Sequence, residues 1–356
     1  MNEANYPQEL KKLLESSIAA GASDLHITVG VPSIIRVDGR LVSLPHDAVF
    51  TEERVKKLIT AVLLPKQIEK LTQEREIDFS FSFGEARIRA NIYHQRGAMA
   101  ASFRFIPRQI RNLQDLNLPP ILERFTQSTQ GLVIIAGPTG HGKSTTLAAL
   151  VELINESRSD HIITIEDPIE YVFEHKKSII SQREVGSDTN TFGRALRAAL
   201  REDPNVILVG EMRDLETIEA ALTIAETGHL VLTTLHTNSA AQTADRIINV
   251  FPPHQQEQIR MQLANVLIGI VSQRLLPRVA GGRIVAAEIL IANNAVRTMI
   301  REGKSHQVDN IISTSAAEGM IGLDKVLAEL VSKGEISLDD ALAWALDPKA
   351  FKMLVY

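Results

Sequence analysis

Over the first hundred residues the apolar positions come in short runs broken by turn signals. Ile34 to Val37 is followed by Asp38-Gly39 and then Leu41-Val42, a spacing that predicts a hairpin through a tight turn. Asp78 to Phe83 alternates a carboxylate or serine with phenylalanine, and Ala86 to Ile92 alternates Ala and Ile with Arg87, Arg89 and Asn91. Both read as half-buried strands, the second with one polar, basic face. Residues 1–106 are therefore expected to form a small α+β domain, and the proline-containing stretch from Pro107 to Pro120 a linker. From residue 121 to 356 the pattern changes to short apolar runs separated by helix-period segments, as in a parallel sheet covered by helices, with a helical part from about residue 290 onward. No internal repeat is visible at a period of roughly 20 to 50 residues.

A chain of 356 residues suggests two domains. Hydrophobic residues make up 44% and charged residues 23%, an ordinary globular composition. The absence of cysteine removes disulfides, Cys-ligated zinc and thiol nucleophiles, and fits a reducing compartment. Met1 to Lys12 is polar, without the apolar core of an export signal, and no stretch approaches the roughly 18 apolar residues that span a bilayer. A cytoplasmic protein without direct membrane insertion is expected. A net charge of -5 and 4% aromatic residues offer little to nucleic acid.

The chemistry concentrates after Leu132-Val133-Ile134-Ile135-Ala136, which reads as a buried strand. It runs into Gly137-Pro138-Thr139-Gly140-His141-Gly142-Lys143-Ser144, a full match to G-x-x-x-x-G-K-S/T, with Thr145 next in line. Leu147, Leu150, Val151 and Ile154 follow at helical spacing, so a helix N-terminus faces whatever the loop holds. Glycines allow backbone N–H groups to turn toward phosphate oxygens, Lys143 adds a fixed positive charge, and Ser144 offers a hydroxyl to magnesium.

In a doubly wound sheet, functional groups gather beyond the C-terminal strand ends. Ile162 to Ile165 leads into Glu166-Asp167-Pro168, Val206 to Val209 into Gly210-Glu211, and Leu230 to Leu235 into His236, with His229 before that strand. Hydrolysis of a bound triphosphate needs a group that orients or deprotonates water, and Glu211 is the first choice. Magnesium is expected on Ser144, with Glu166 and Glu211 acting through water. Glu211 also has a purely structural reading as a helix N-terminal carboxylate, with Asp214 as N-cap of a helix running to Gly228. His229 and His236 serve either ordinary hydrogen bonding or the sensing of a terminal phosphate.

These boxes resemble the type II/IV secretion ATPase family. The Walker A loop is Gly137 to Ser144, the acidic box Glu166 to Glu170, the Walker B strand Ile207 to Asp214 and the histidine box Gly228 to Thr237, while Ala22 to Ile27 matches the family's first domain. The resemblance implies a PAS-like first domain, a RecA-like second domain, and a homohexameric ring hydrolysing ATP with Mg2+. It also implies arginines supplied by the first domain, for which Arg87, Arg89, Arg96 and Arg104 are candidates beside the simpler reading of a solvated charged face. Without cysteine the chain lacks the four-cysteine zinc site common in extension and export relatives. Ala295, Val296, Arg297, Ile300, Arg301 and Glu302 match the motif of the retraction branch, with Thr298 and Met299 departing from it; His141 stands where the family usually has serine. A pilus-retraction motor acting on an inner-membrane platform protein from the inner face of that membrane is thereby implied. The alternatives are an extension or secretion ATPase, an auxiliary retraction paralogue, a RecA-like nucleic-acid motor and a non-hydrolysing assembly factor.

Overall fold

A computed structural model describes residues 7–37, 40–44, 48–84, 86–106 and 109–355. The expected turn at Asp38-Gly39 and the first residue of the expected linker, Pro107, lie outside the described residues. Two compact units divide the chain, Met1–Gln109 with Pro168–Val172 and Ile110–Asp167 with Phe173–Tyr356.

In the first unit, α1 (Gln8–Ala19), β1 (Asp24–Ile27), β2 (Ile34–Val37), β3 (Arg40–Ser43), α2 (Glu52–Thr60) and α3 (Pro65–Glu74) precede β4 (Glu76–Phe83), β5 (Ala86–Gln95) and β6 (Ala98–Ile106). The sheet order is β3-β2-β1-β6-β5-β4, antiparallel throughout. Strand alternation sorts its faces. Ile77, Phe79, Phe81 and Phe83 of β4 and Ile88, Ala90 and Ile92 of β5 are buried with Leu10 and Leu14 of α1 and Leu58 and Ile59 of α2 in one cluster. Arg87, Arg89 and Asn91 occupy the opposite face, beside Ser82, Ser80 and Asp78 of β4.

The second unit contains α4 (Glu123–Thr126), β7 (Gly131–Ala136), α5 (Lys143–Ser157), β8 (His161–Glu166), β9 (Ile179–Glu184), α6 (Phe192–Ala199), β10 (Val206–Val209), α7 (Leu215–Glu226), β11 (Leu230–Leu235), α8 (Ala240–Asn249), α9 (Pro253–Val266), β12 (Leu267–Pro277) and β13 (Arg283–Ile291). Helices α10 (Asn294–Arg301), α11 (Val308–Thr314), α12 (Leu323–Ser332), α13 (Leu338–Trp344) and α14 (Pro348–Val355) complete it. The strands run in the order β13-β12-β7-β11-β10-β8-β9. Strands β7 and β11 are buried at every position, as the unbroken apolar runs required. All neighbours are parallel except β12 and β13, which pair antiparallel. This edge pair is antiparallel because Pro277 to Arg283 is too short for a parallel crossover; Gly281 and Gly282 turn the chain there at φ 89° and 75°.

Helix α5 is buried beyond its expected stripe, for Ala148 and Ala149 join Leu147, Leu150, Val151 and Ile154. Asp214 caps α7, its carboxylate accepting the Thr217 N–H at 2.9 Å.

Glu288 of β13 is 2% exposed and accepts the N–H of Ala240, the first residue of α8, at 2.7 Å. Burial pushes its carboxyl up from 4.5 to about 7; the Ala240 donation and the Arg274 charge oppose that rise and Asp309 reinforces it. Because the folded value lies above the unfolded one, the stability contributed by this group is present below about pH 4.5 and is lost as pH rises through about 7. Glu288→Gln keeps an acceptor for Ala240 without a titrating group. The melting temperature of the variant relative to the parent should therefore rise between pH 5 and pH 8, and a difference flat with pH would refute the assignment.

Candidate active site

At Ala136 the central strand β7 ends and the chain enters the glycine loop, whose first N–H, Gly137, donates to Leu235 O at 3.2 Å. Gly137 has φ 146°, and a Cβ there would stand 2.5 Å from the Gln273 carbonyl oxygen, so only glycine lets the loop pass β12 this closely. Gly142 caps α5 in the left-handed region without a side-chain hydrogen bond to the helix. Gly142 thus offers no side chain to the first N–H groups of α5, an arrangement that suits an anion. Lys143, 7% exposed, bends back over the loop and donates to Gly137 O at 2.9 Å and Pro138 O at 3.0 Å.

His236, just past β11, contacts both the loop and the Glu211 carboxylate. Its Nδ1 lies 3.2 Å from Thr139 Oγ and 3.4 Å from Lys143 Nζ, and its Nε2 lies 3.3 Å from Glu211 Oε1. An ammonium only donates, so Nδ1 is the acceptor toward Lys143, while Nε2 faces the Glu211 carboxylate. Glu211 also pairs with Arg213 at 2.8 Å, its side chain 20% exposed.

Glu166, the last residue of β8, accepts Thr164 Oγ–H at 2.6 Å and Gln182 Nε2–H at 3.3 Å on the same oxygen. The neighbouring Gly210, where many phosphate-loop enzymes place a metal-associated aspartate, now has a physical account. A Cβ on it would stand 3.3 Å from Ile165 O and 3.4 Å from Glu166 Cα, so a side chain at 210 would crowd Glu166.

His229 is not brought to this cluster. It precedes β11, its carbonyl accepting the Gly131 N–H at the start of β7 while its Nδ1 lies 3.1 Å from Ile224 O. Strands β7 and β11 are parallel, so His229 sits at the sheet edge opposite the loop, about 20 Å away for a six-residue strand.

In the first unit, Arg87 donates to Ser80 and Ser82, and Arg89 donates to Asp78 with a shortest contact of 2.5 Å. Arg104 lies opposite Arg89 across the β5–β6 pair and donates Nε–H to the buried Asp24 at 2.9 Å. Arg96 is exposed at the β5–β6 turn, with φ 50°.

The motif of the retraction branch forms α10, started by Asn293, whose side chain accepts the Val296 N–H. Val296 and Ile300 are buried, while Ala295, Arg301 and Glu302 are exposed. Arg297 has a structural task of its own: its guanidinium donates to Ala264 O, to Asn265 O at 2.7 Å and to Leu267 O at 2.8 Å, closing the C-terminus of α9.

Sequence reading missed Gln273. From within β12 it donates to His141 O at 2.6 Å and accepts Thr146 Oγ–H at 2.9 Å, tying the loop to the first turn of α5. The available signal was the polar triplet Ser272-Gln273-Arg274 inside an otherwise apolar, buried strand.

For a divalent cation the donors at hand are hard oxygens, Ser144 Oγ and the carboxylates of Glu166 and Glu211. Among the described residues no group of three or more His, Cys, Asp or Glu is arranged to hold a metal by itself. That donor set fits magnesium, which takes a few protein oxygens and completes its shell with phosphate and water.

A glycine loop feeding a helix at the C-terminal edge of a seven-stranded, mainly parallel sheet, with a carboxylate and a histidine beside it, defines a P-loop protein of the RecA-like class. The chain belongs to the Type II/IV secretion system protein family, whose model matches residues 2–337. It is 46% identical over 346 residues to the type IV pilus retractation ATPase PilT of Pseudomonas aeruginosa, covering 96% of this chain and 100% of that protein. A twitching motility protein of Neisseria gonorrhoeae is likewise 46% identical, over 93% of this chain and 89% of its own length. The crystal structure of the pilus retraction motor PilT with bound ADP superposes with a TM-score of 0.89 at 48% identity, covering 96% of this chain and 98% of that one.

Proposed function

We propose that this protein is an ATPase motor that powers type IV pilus retraction and twitching motility. The observation that carries the reading is near full-length similarity to a retraction ATPase combined with an intact loop, lysine, glutamate and histidine in one network. ATP binds with its phosphates against the Gly137–Thr145 backbone. Lys143 exchanges the Gly137 and Pro138 carbonyls for phosphate oxygens. Magnesium would rest on Ser144, with Glu166, fixed by Thr164 and Gln182, reaching it through water, and would supply positive charge against the phosphates. Glu211 orients and deprotonates the attacking water, and His236 lies between it and Lys143 and Thr139, so that loss of the terminal phosphate is felt at the carboxylate. His229, at the far edge of the sheet, has no step in this scheme.

Six copies form a ring in this reading, and an arginine from a neighbouring subunit completes each site. The ring works in the cytoplasm, against the inner face of the inner membrane, on a pilus platform protein there. Among the described residues no helix is long and apolar enough to cross a membrane. Deleting the gene in its source organism and counting surface pili tests direction. Surplus pili with lost twitching are expected; bald cells would replace retraction with extension, and unchanged cells would assign the work to another motor.

A further inference from the structure

His141, the loop residue that departs from its family's usual serine, makes contacts that the phosphate chemistry does not call for. Strand β12 pairs with β7 only as far as Ser272 opposite Ala136, because β7 ends there and the loop turns away. Beyond that point the Leu275 N–H donates to His141 Nδ1 at 2.9 Å, so the imidazole replaces the missing strand neighbour. Burial, followed by the charges of Arg274, Lys143 and Arg283, lowers the His141 pKa and keeps Nδ1 an acceptor. The ring also meets Trp344, the last residue of α13, edge to face with centroids 4.8 Å apart at 68°.

Trp344 also faces Arg274, whose guanidinium carbon lies 5.6 Å from its ring centre. Arg274 is 2% exposed and donates to Asn238 O at 2.7 Å, two residues after His236. Helix α13 packs with Leu323 and Leu327 of α12 and Phe351 of α14 in a cluster of its own with β12 and β13. One indole thus joins that helical cluster to the phosphate loop and, through Arg274, to the chain that follows the histidine.

We propose that Trp344 is a positioning residue for the phosphate loop, through which the C-terminal helices α12 to α14 set the loop's affinity for a nucleoside triphosphate. The inference rests on the loop being the ATP site. A loop clasped at His141 is pre-organised for phosphate, and releasing the clasp moves part of the binding energy into ordering the loop. The effect falls on binding, because Trp344 touches neither Glu211 nor the phosphate-facing backbone.

Trp344 is the chain's one tryptophan, so tryptophan emission reports its surroundings, the contact with His141 among them. In the full-length protein, saturating ATP should change the emission of Trp344. Trp344→Ala should raise the KM for ATP about tenfold with kcat within about twofold, tenfold being roughly 1.4 kcal/mol, and Trp344→Phe should restore most of the affinity. In a double-mutant cycle with His141→Ala, the effects on binding of a fluorescent ATP analogue should be strongly non-additive. Additive effects, or silent emission in a protein that binds the analogue, overturn the coupling even where Trp344→Ala weakens the helical cluster. Failure of the parent protein to bind the analogue overturns the nucleotide reading itself.

Discussion

Glu211→Gln should lower ATP turnover by about 10² to 10⁴ while leaving nucleotide affinity within a few fold, the loss typical of removing a general base. The amide keeps the size of the side chain beside His236, whose Nε2 is now 3.3 Å away, but cannot take a proton from water. The competing account, a carboxylate serving the N-terminus of α7, is weakened by Asp214. That residue holds the cap, accepting the Thr217 N–H at 2.9 Å and the Thr217 hydroxyl at 3.0 Å. If Glu211 only complemented the helix dipole, its replacement would cost about 0.3 to 1 kcal/mol of stability and leave turnover intact. Turnover, analogue binding and melting temperature measured on one preparation separate the two. A kcat within threefold of the parent with a lowered melting temperature would remove Glu211 from the chemistry.

How much of this site is legible in the sequence depends on the range of the interaction that builds it. The loop is local: strand, glycines, lysine and helix follow one another within Leu132 to Ile154, and each is dictated by its neighbours in sequence. Strands β10 and β11 lie at the expected residues, because fully buried parallel strands carry unbroken apolar runs that end where function begins. His229 illustrates the opposite limit. Flanking a strand suggested proximity to the phosphate, but parallel topology assigns the two ends of β11 to opposite edges, and only the C-terminal end meets the loop. The clasp of Gln273 and Trp344 on the loop was unreadable for another reason. Gln273 reaches His141 across 132 positions and Trp344 lies farther still along the chain. Nothing in local periodicity distinguishes a tryptophan that ends a short amphipathic helix from one that touches a phosphate loop. Gly210 stood out as a departure from the usual acidic residue, yet its cause, the close approach of Ile165 and Glu166, belongs to strand pairing.

If Arg104 is the arginine that completes a neighbour's site in the proposed ring, Arg104→Ala should reduce turnover by about 10³ to 10⁵ with ATP still bound, the range for a lost arginine finger. Arg87 and Arg89 are engaged along their own sheet with Ser80, Ser82 and Asp78. Arg96 rides an exposed turn without a described anchor. Arg104 combines both requirements: its Nε is fixed on Asp24, 7% exposed, while its own side chain is 66% exposed. Among the described residues, its terminal nitrogens have no hydrogen-bond partner, leaving the guanidinium fork available for two phosphate oxygens. Arg104→Lys should recover little, because a lysine ammonium has no such fork. The decisive measurement mixes two inactive proteins, Arg104→Ala and Glu211→Gln, under conditions that allow subunits to exchange. If the arginine acts across the subunit boundary, some sites in mixed rings combine an intact Glu211 with an intact Arg104 from the adjacent copy, and activity returns. If it acts within its own chain, every site lacks one group or the other, mixing restores nothing, and the shared-site model falls.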